Sequence, residues 1–320
     1  MRIFPGWLDG TARHTFAALA LLASITGLTF ADSMYLTNGG QAFSFVSEFT
    51  TTGTYLGQFT NSLNNPAGIA QDFSGNYYVV NAGNSTVVKF LADGTPVAPN
   101  PFITSHLRAA QTIAIDKSGN FYVSEGGGTV EKFNSAGVWQ RQFAASGAGY
   151  SISNAQGLWV DAQDTLYIAD SSANNQVVLL NANTGAYINK INTNLSLPHG
   201  VIKDASGYLY VSNASANNVA KFNPDLSFNS FITGGMSFPI GLGLDATGNL
   251  FVANNQNNTL TKYDSSGALT ATISSVNNSI VGARWIAFQP YAVPEPSTYA
   301  MALAGLACGG YLVRRRRKRA

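Results

Sequence analysis

The sequence predicts an all-β fold, a six-bladed β-propeller built from four-stranded antiparallel blades. Short apolar runs alternate with turns rich in Gly, Asn, Asp and Ser, a spacing typical of antiparallel meanders. A unit of four such runs, clearest at 241–274, recurs along the chain with a period of 41–45 residues. Four short strands at this period are typical of a propeller blade, which buries both of its sheet faces only by stacking into a ring.

One aspartate recurs in the first turn of each unit, and the spacing of these aspartates gives the period. Aspartate suits this turn because its side chain can bond the backbone two residues further on. Its positions are Asp72, Asp116, Asp161, Asp204 and Asp245, and Gln289 stands at the next equivalent place. An open β-solenoid is the alternative, but it would use shorter repeats and parallel strands.

Residues 1–31 are predicted to be a secretory signal peptide. Arg2 and Arg13 precede an apolar stretch at 16–28, and small residues precede the expected cleavage site after Ala31. We expect export of the mature chain and cleavage by signal peptidase. A buried N-terminal helix is the alternative interpretation.

The propeller domain is predicted to span 32–290, with one blade shared by the two ends of the chain. Met34–Asn38 matches Leu250–Asn254, so the mature chain starts on a second strand, and Gly282–Phe288 supplies the missing first strand. This closure removes open sheet edges. The five complete blades are expected at about 64–108, 109–153, 154–196, 197–237 and 238–278.

Two features of the repeat predict how blades pack. First strands carry small residues beside apolar ones, as crowding near a central axis requires. Third strands end in Lys followed by an aromatic residue, which we expect to pack between blades. These pairs are Lys89-Phe90, Lys132-Phe133, Lys221-Phe222 and Lys262-Tyr263, while blade three has Leu179-Leu180.

The pattern PxGIAxDxxGNxYVxNxxNxxVxKF, seen in Pro66–Phe90 and again in Pro198–Phe222, resembles the NHL-repeat family of six-bladed propellers. The resemblance covers about 34–289. Related propellers include gluconolactonase-like hydrolases and streptogramin-lyase-like enzymes, and other members are interaction modules. The resemblance therefore implies the fold without selecting a function.

The C-terminal segment 293–320 has three parts in sequence. A Pro-Glu-Pro motif precedes 17 uncharged residues at 297–313, and a basic cluster follows at 314–319. The uncharged segment is long enough for a short transmembrane helix, with the basic cluster on the cytoplasmic side. This order resembles the PEP-CTERM sorting signal of Gram-negative bacteria, carried here by Pro294, Glu295, Pro296, Arg314, Arg315, Arg316 and Arg317.

The sorting-signal resemblance implies a partner and a destination. In that family a membrane protease, exosortase, recognises the signal and removes the tail. It implies transient anchoring in the inner membrane by the tail helix, then transfer to the cell surface or extracellular space, often with exopolysaccharide export. A permanent single-pass anchor is the alternative.

Composition narrows the function classes. Eight of the 18 Lys and Arg lie in the leader and tail, which leaves ten in 32–290 against 14 Asp and Glu. A domain with a net charge of about −4 lacks the basic face that nucleic-acid binding needs. The single cysteine, Cys308, lies in the predicted tail helix, so the domain has no disulfide, no cysteine-based metal site and no RING module. We expect a monomer.

Polar residues at the ends of the second strands form the candidate ligand site, at one mouth of the central channel. They are Asn38, Asn81, Glu125, Asp170, Asn213 and Asn254, and the starts of first strands add Gln111, Gln156 and His199. A polar ring at a channel mouth is a typical ligand site, and oxygen ligands suit a hard cation such as Ca²⁺. The alternative is structural, since Asn and Asp at strand ends often bond loop backbone.

Resemblance to two enzyme groups adds specific hypotheses. Gluconolactonase-like propellers bind a divalent metal through Glu, Asn and Asp at the axis, which implies Glu125, Asp170, Asn213 and Asn254 here. His199 sits in a Pro-His-Gly turn similar to those of streptogramin-lyase-like propellers, which use more than one His with a Glu. The domain's other histidine, His106, lies between blades, and a lone His provides no base with an orienting partner.

The sequence therefore favours a non-enzymatic binding or scaffold module at the cell surface or matrix, with a protein or polysaccharide partner. A metal-dependent hydrolase using Glu125 and Asp170 is the alternative, and a streptogramin-lyase-like enzyme is a weaker one. No G-x-S-x-G elbow, phosphate loop or HExxH motif occurs.

Overall fold

The computed structural model describes residues 33–40 and 43–288. These residues form six main sheets, whose innermost strands contact one another in a closed ring. The predicted six-bladed propeller is confirmed. The predicted signal peptide, Gln289 and the C-terminal segment 293–320 lie outside the described residues. Within the described part of the chain, no helix is long and apolar enough to cross a bilayer.

The closing blade, blade six, combines both ends of the described chain. Its strands are β1 (Ser33–Gly40), β2 (Phe43–Thr50), β3 (Tyr55–Phe59) and β25 (Ala283–Phe288), in the order β25-β1-β2-β3. Tyr35 lies opposite Ala287, and Leu36 opposite Ile286, in an antiparallel ladder. The predicted meeting of the two chain ends is confirmed.

Blades two to five each have four antiparallel strands in chain order from the axis outward. Blade two consists of β7 (Ala110–Ile115), β8 (Phe121–Glu125), β9 (Val130–Phe133) and β10 (Trp139–Phe143). Blade three consists of β13 (Ala155–Val160), β14 (Thr165–Asp170), β15 (Gln176–Asn181) and β16 (Tyr187–Ile191). Blade four consists of β17 (Pro198–Lys203), β18 (Leu209–Asn213), β19 (Asn218–Phe222) and β20 (Phe228–Ile232). Blade five consists of β21 (Pro239–Leu244), β22 (Leu250–Asn254), β23 (Thr259–Tyr263) and β24 (Leu269–Ser274).

Blade one departs from the four-strand pattern. It has three regular strands, β4 (Pro66–Gln71), β5 (Tyr77–Asn81) and β6 (Thr86–Phe90). Its outer position is taken by a loop that makes only two isolated bridges, Phe90 with Pro96 and Val87 with Ile103. Pro96, Pro99 and Pro101 lie in this loop and donate no backbone N–H, so a continuous ladder cannot form there.

A short hairpin between blades two and three is not evident from the repeat. Its strands are β11 (Ser146–Gly147) and β12 (Tyr150–Ser151). The ring of Tyr150 stacks on that of Tyr187 in the outer strand of blade three, with centroids 5.7 Å apart.

The hydrophobic core consists of six clusters, one between each pair of neighbouring blades. The aromatic residues that end the third strands are buried in these clusters, as predicted. Phe133, for example, packs with Tyr78 and Ile113 between blades one and two. The lysine before the aromatic residue lies over the ring of the second strand instead, as Lys132 does over Tyr122 at 5.0 Å.

The innermost strands share one irregularity that brings them close together. Each has a bulge two to three residues after its start, for example between Ala155 and Leu158. At the bulge of blade three, a Cβ on Gly157 would overlap the carbonyl oxygen of His199 in the neighbouring first strand. The small residues of the first strands are therefore required by backbone contact between blades, as the sequence predicted.

Candidate functional site

The two ends of the ring differ, so we name them by the direction of the innermost strands. The upper face is the end at which these strands begin, and the lower face is the end at which they finish. Each second strand ends opposite the start of a first strand, as Asp170 does opposite Ala155. The same register holds in the other blades. The six predicted residues at second-strand ends thus lie together at the upper face.

All six of these side chains are buried. In every blade the side-chain oxygen accepts a hydrogen bond from the backbone amide two residues before the first strand. In blade four, Asn213 Oδ1 accepts from Ser196 N at 3.0 Å, and in blade six, Asn38 Oδ1 accepts from Val281 N at 2.8 Å. Equivalent bonds are made by Asn81, Glu125, Asp170 and Asn254. The structural alternative accounts for these contacts, and ligand binding by these residues stays a prediction.

All the hydrogen-bond acceptor positions of the Asp170 carboxylate are occupied by donors of its own blade and the loop before it. Its Oδ1 accepts from the amides of Ser153 and Asn154 at 3.1 and 3.0 Å. Its Oδ2 accepts from Asn174 Nδ2 and Gln176 Nε2, both at 3.1 Å. A carboxylate has about four acceptor positions, so Asp170 has none left for a metal. Among the described residues, no group of three or more His, Cys, Asp or Glu could hold a metal ion.

His199, Gln111 and Gln156 lie one residue into the first strands, at the upper end of the channel. His199 Nδ1 lies 3.0 Å from the Leu197 carbonyl oxygen and 3.2 Å from Ser171 Oγ. Burial lowers the pKa of His199, with the bond to Leu197 opposing this. No carboxylate among the described residues orients this imidazole, so it lacks the partner that a catalytic base requires.

Arg284 occupies the same register in blade six, and sequence reasoning missed it. Its guanidinium lies against Gly39, and burial lowers its pKa. The signal was present in the sequence, because Arg284 aligns with Gln111, Gln156 and His199 once first strands are superimposed.

The lower half of the channel forms an apolar chamber of about 830 Å³, which the sequence analysis did not foresee. All six innermost strands contribute to its wall, with residues such as Ile113, Leu158, Val201 and Leu242. Phe73, which is 78% exposed, stands at its rim. A volume of this size with mostly apolar walls is typical of small-molecule pockets.

Two polar atoms in the chamber wall have no hydrogen-bond partner within the described part of the chain. They are the indole nitrogen of Trp159 and the side-chain oxygen of Gln71, both buried. Asp245 is the only carboxylate among the described residues of the wall, and it is already bonded: it accepts from Thr247 N and Asn249 N and lies 3.5 Å from Lys262 Nζ. Both of these unpartnered atoms, on Trp159 and Gln71, have almost no accessible surface, so the surface that the chamber presents to a ligand is mainly apolar.

Comparison with protein-family models finds one match, the PEP-CTERM protein-sorting motif, at residues 292–318. This chain carries an exosortase sorting signal. The signal marks the protein for export, processing by exosortase and sorting to the cell surface or extracellular space. No curated protein matches the sequence significantly.

Solved structures confirm the propeller. A chain of the nidogen/laminin complex superimposes with a TM-score of 0.69 at 16% identity, covering 81% of this chain and 98% of that one. A Bacteroides caccae protein of unknown function gives 0.62 at 14% identity, covering 81% and 99%. A streptogramin B lyase gives 0.53 at 10% identity, covering 78% and 75%. At these identities the likeness shows the fold alone, so the role of the sorted domain must be inferred from its own site.

Proposed function

We propose that the sorted propeller is a binding module of the cell surface or extracellular matrix, which holds a compact apolar ligand in the lower chamber of its channel. The supporting observation is the chamber itself, a cavity of about 830 Å³ with walls from all six blades.

The chamber chemistry supports binding rather than catalysis. Its described wall contains no histidine or cysteine, and its single carboxylate is already bonded to a turn and near a lysine. Hydrolysis would require a free base or nucleophile beside the ligand. The partner chemistry that this wall fits is an apolar side chain or small apolar molecule, in preference to a polysaccharide.

Export and anchoring belong to the same proposal. We propose that residues 1–31 are removed by signal peptidase, and that 297–313 spans the inner membrane until exosortase removes it. We further propose that the repeats belong with the NHL family, given the pattern shared by Pro66–Phe90 and Pro198–Phe222.

Binding of a neutral apolar dye, Nile red, to the purified domain tests the chamber. We expect a saturable, one-to-one rise in fluorescence that is abolished in Ala70→Phe, because Ala70 lines the chamber. Ala70 also packs against the cluster between blades one and two, so an unchanged circular-dichroism spectrum must show that the variant is folded. Ala136→Phe, in an exposed turn of blade two, is the matched control and should bind normally. Equal binding by both variants, or no saturable binding by the wild type, would rule out the proposed function.

Processing in the native host tests the tail. Replacing Arg314–Arg319 by neutral residues should leave unprocessed protein in the membrane, seen as a slower band in the membrane fraction, because the basic cluster is part of the sorting signal. Normal processing of that variant would contradict the proposed anchoring.

Divalent-cation binding at the upper face remains a separate prediction. The melting temperature of the domain with and without Ca²⁺, Mn²⁺ or Zn²⁺ checks it, since a ligand that binds only the folded state raises Tm. A shift that is lost in Glu125→Gln would support the metal-dependent alternative, and no shift with any of the ions would remove it.

A further inference from the structure

We propose that blade two carries a second binding site, which takes an organic cation such as a guanidinium or primary ammonium group. The site is a cavity of about 600 Å³, here called the blade-two pocket. Its wall includes His106, Arg108, Glu125, Glu131, Trp139 and Gln142. It is separate from the apolar chamber, because the two cavities share no lining residue.

Blade two differs from the other blades at the position that forms the back of this pocket. Glu131 pairs across the sheet with Val123, in the middle of the third strand. The other blades have small or apolar residues at this register, namely Ser47, Val88, Val178, Ala220 and Thr261. A carboxylate that is 3% exposed at a position otherwise suited to valine is costly unless a partner stabilises it.

The loop after the second strand is also altered in a way that opens the pocket. Between Glu125 and Thr129 the chain has three glycines, where blade one has four residues between Asn81 and Thr86. A Cβ built on Gly127 would meet nothing within 4 Å. Gly127 thus leaves open space in the pocket wall, whereas Gly128 lies tight against the Ile152 carbonyl oxygen.

Both glutamates are held in place while keeping acceptor capacity. Glu131 accepts from Trp139 Nε1 at 2.7 Å and from Gln142 Nε2 at 2.5 Å. Glu125 accepts one bond per oxygen, from Arg108 N and Thr129 Oγ1. Each carboxylate uses two of its roughly four acceptor positions, whereas Asp170 uses four. The remaining positions are available to a ligand that donates hydrogen bonds.

The negative charge of the two carboxylates indicates which kind of hydrogen-bond donor the ligand carries. Among the described residues, neither Glu125 nor Glu131 lies within ion-pair distance of a lysine, arginine or histidine, and Arg108 contributes its backbone amide to Glu125. Arg108 also lines the pocket, but its side chain is exposed and pairs with neither carboxylate. Two buried carboxylates without an ion-pair partner favour a positively charged ligand over a neutral one, because pairing offsets the cost of burying each charge.

An aromatic wall completes the pocket. The bond from Trp139 Nε1 to Glu131 fixes the indole, which is 39% exposed, and the imidazole of His106 stacks on it at 4.6 Å and 13°. A planar cation is attracted to such ring faces as well as to carboxylates. Carboxylates beside a stacked aromatic wall fit guanidinium better than a metal ion.

Calorimetric titration of the purified domain with N-acetyl-arginine amide tests this proposal, with N-acetyl-citrulline amide as the uncharged match. We expect saturable binding of the arginine compound, at least about tenfold weaker binding of the citrulline compound, and a similar loss in Glu131→Gln. Glu48→Gln, a glutamate bonded to Ser33 and Tyr35 in blade six, is the control and should bind normally.

Two further variants keep the test decisive. Gly127→Leu should fold, because its side chain enters open space, and should block binding by filling the pocket. Ala70→Phe alters the wall of the channel chamber and should leave binding of the arginine compound unchanged, so failure of one proposal is distinguished from failure of the other. Equal affinity for both compounds, binding that persists in Glu131→Gln and Gly127→Leu, no binding by the wild type, or preferential binding of a neutral sugar such as trehalose would overturn the proposal.

Discussion

Asp116 and three of its four counterparts each hold a turn at the lower face with the same set of bonds. Asp116 Oδ1 accepts from the amides of Ser118 and Asn120, both at 2.9 Å, and its Oδ2 accepts from Tyr122 Oη at 3.0 Å. Asp72, Asp161 and Asp204 make the same three kinds of bond. In blades one to four the repeating aspartate therefore joins a turn to a tyrosine of the core, whereas in blade five Phe251 stands at the tyrosine position and Asp245 lies 3.5 Å from Lys262 Nζ.

Asp116→Ala should lower the free energy of unfolding by about 1–3 kcal/mol, because it leaves buried donors without an acceptor. Urea unfolding followed by circular dichroism measures the change. Asp225→Ala removes an exposed aspartate that bonds Ser227 in an outer turn, and should cost clearly less. Similar losses in both variants would contradict the role assigned to the buried turn.

His199 makes stability depend on pH. Burial lowers its pKa below the ordinary value of 6.5, so the unfolded chain takes up a proton at a higher pH than the folded chain does. Stability should therefore fall as the pH drops below about 6.5 and continue to fall until the folded histidine is protonated. His199→Gln should flatten this part of the profile, as measured by Tm between neutral pH and about pH 5, above the range in which carboxylates titrate. If Tm depended on pH equally steeply in the variant and the wild type, His199 would not be the source of the pH dependence.

At the scale of strands, the first strand of each blade is held in place by close contact with the first strand of the neighbouring blade. Gly157 and Gly200 lie at bulges where a Cβ would overlap backbone of the neighbouring first strand. The outer strands have no such constraint, and in blade one the outer strand is reduced to two bridges beside three prolines. Strand structure is thus more tightly constrained near the channel axis than at the outer edge of the blades.

Gly157→Ala should destabilise the ring by roughly 1–3 kcal/mol, because its methyl group forces two first strands apart. Gly127→Ala serves as the control, since its Cβ would meet nothing within 4 Å. Chemical denaturation of both variants is the measurement, and an equal effect would show that the contact between first strands is not tight.

At the scale of the whole molecule, blade six joins the two ends of the described chain. Thr37 Oγ1 accepts from Trp285 N at 2.9 Å and bonds the carbonyl oxygen of Ala67 at 2.5 Å, so one side chain links β1, β25 and blade one. Loss of β25 would leave β1 as an open edge and expose the cluster between blades five and six.

Truncation after 280 should abolish cooperative unfolding and make the domain sensitive to protease. Truncation after 290 should leave unfolding cooperative and the domain resistant to protease. The matched pair differs by β25 and the two residues on each side of it. Differential scanning calorimetry and limited proteolysis provide the readout. A cooperative transition in the shorter protein would show that ring closure does not depend on the shared blade.

The period of the aspartates, the number of blades and the shared blade were all predictable from the sequence. They depend on turn chemistry and on patterns repeated along the chain, which are visible without knowing which residues meet in space. The C-terminal sorting signal was predictable for the same reason, because its three parts are contiguous.

The candidate sites depended on tertiary structure. The sequence placed Glu125 and Asp170 at equivalent positions and made both candidate metal ligands, yet Asp170 accepts from four donors and Glu125 from two. The apolar chamber and the hydrogen bonds that Glu131 accepts from Trp139 and Gln142 were likewise not predictable from the sequence. Sequence determined how each blade forms, while tertiary structure decided which polar groups stay unsatisfied, because that depends on side chains from separate strands and blades meeting at one point.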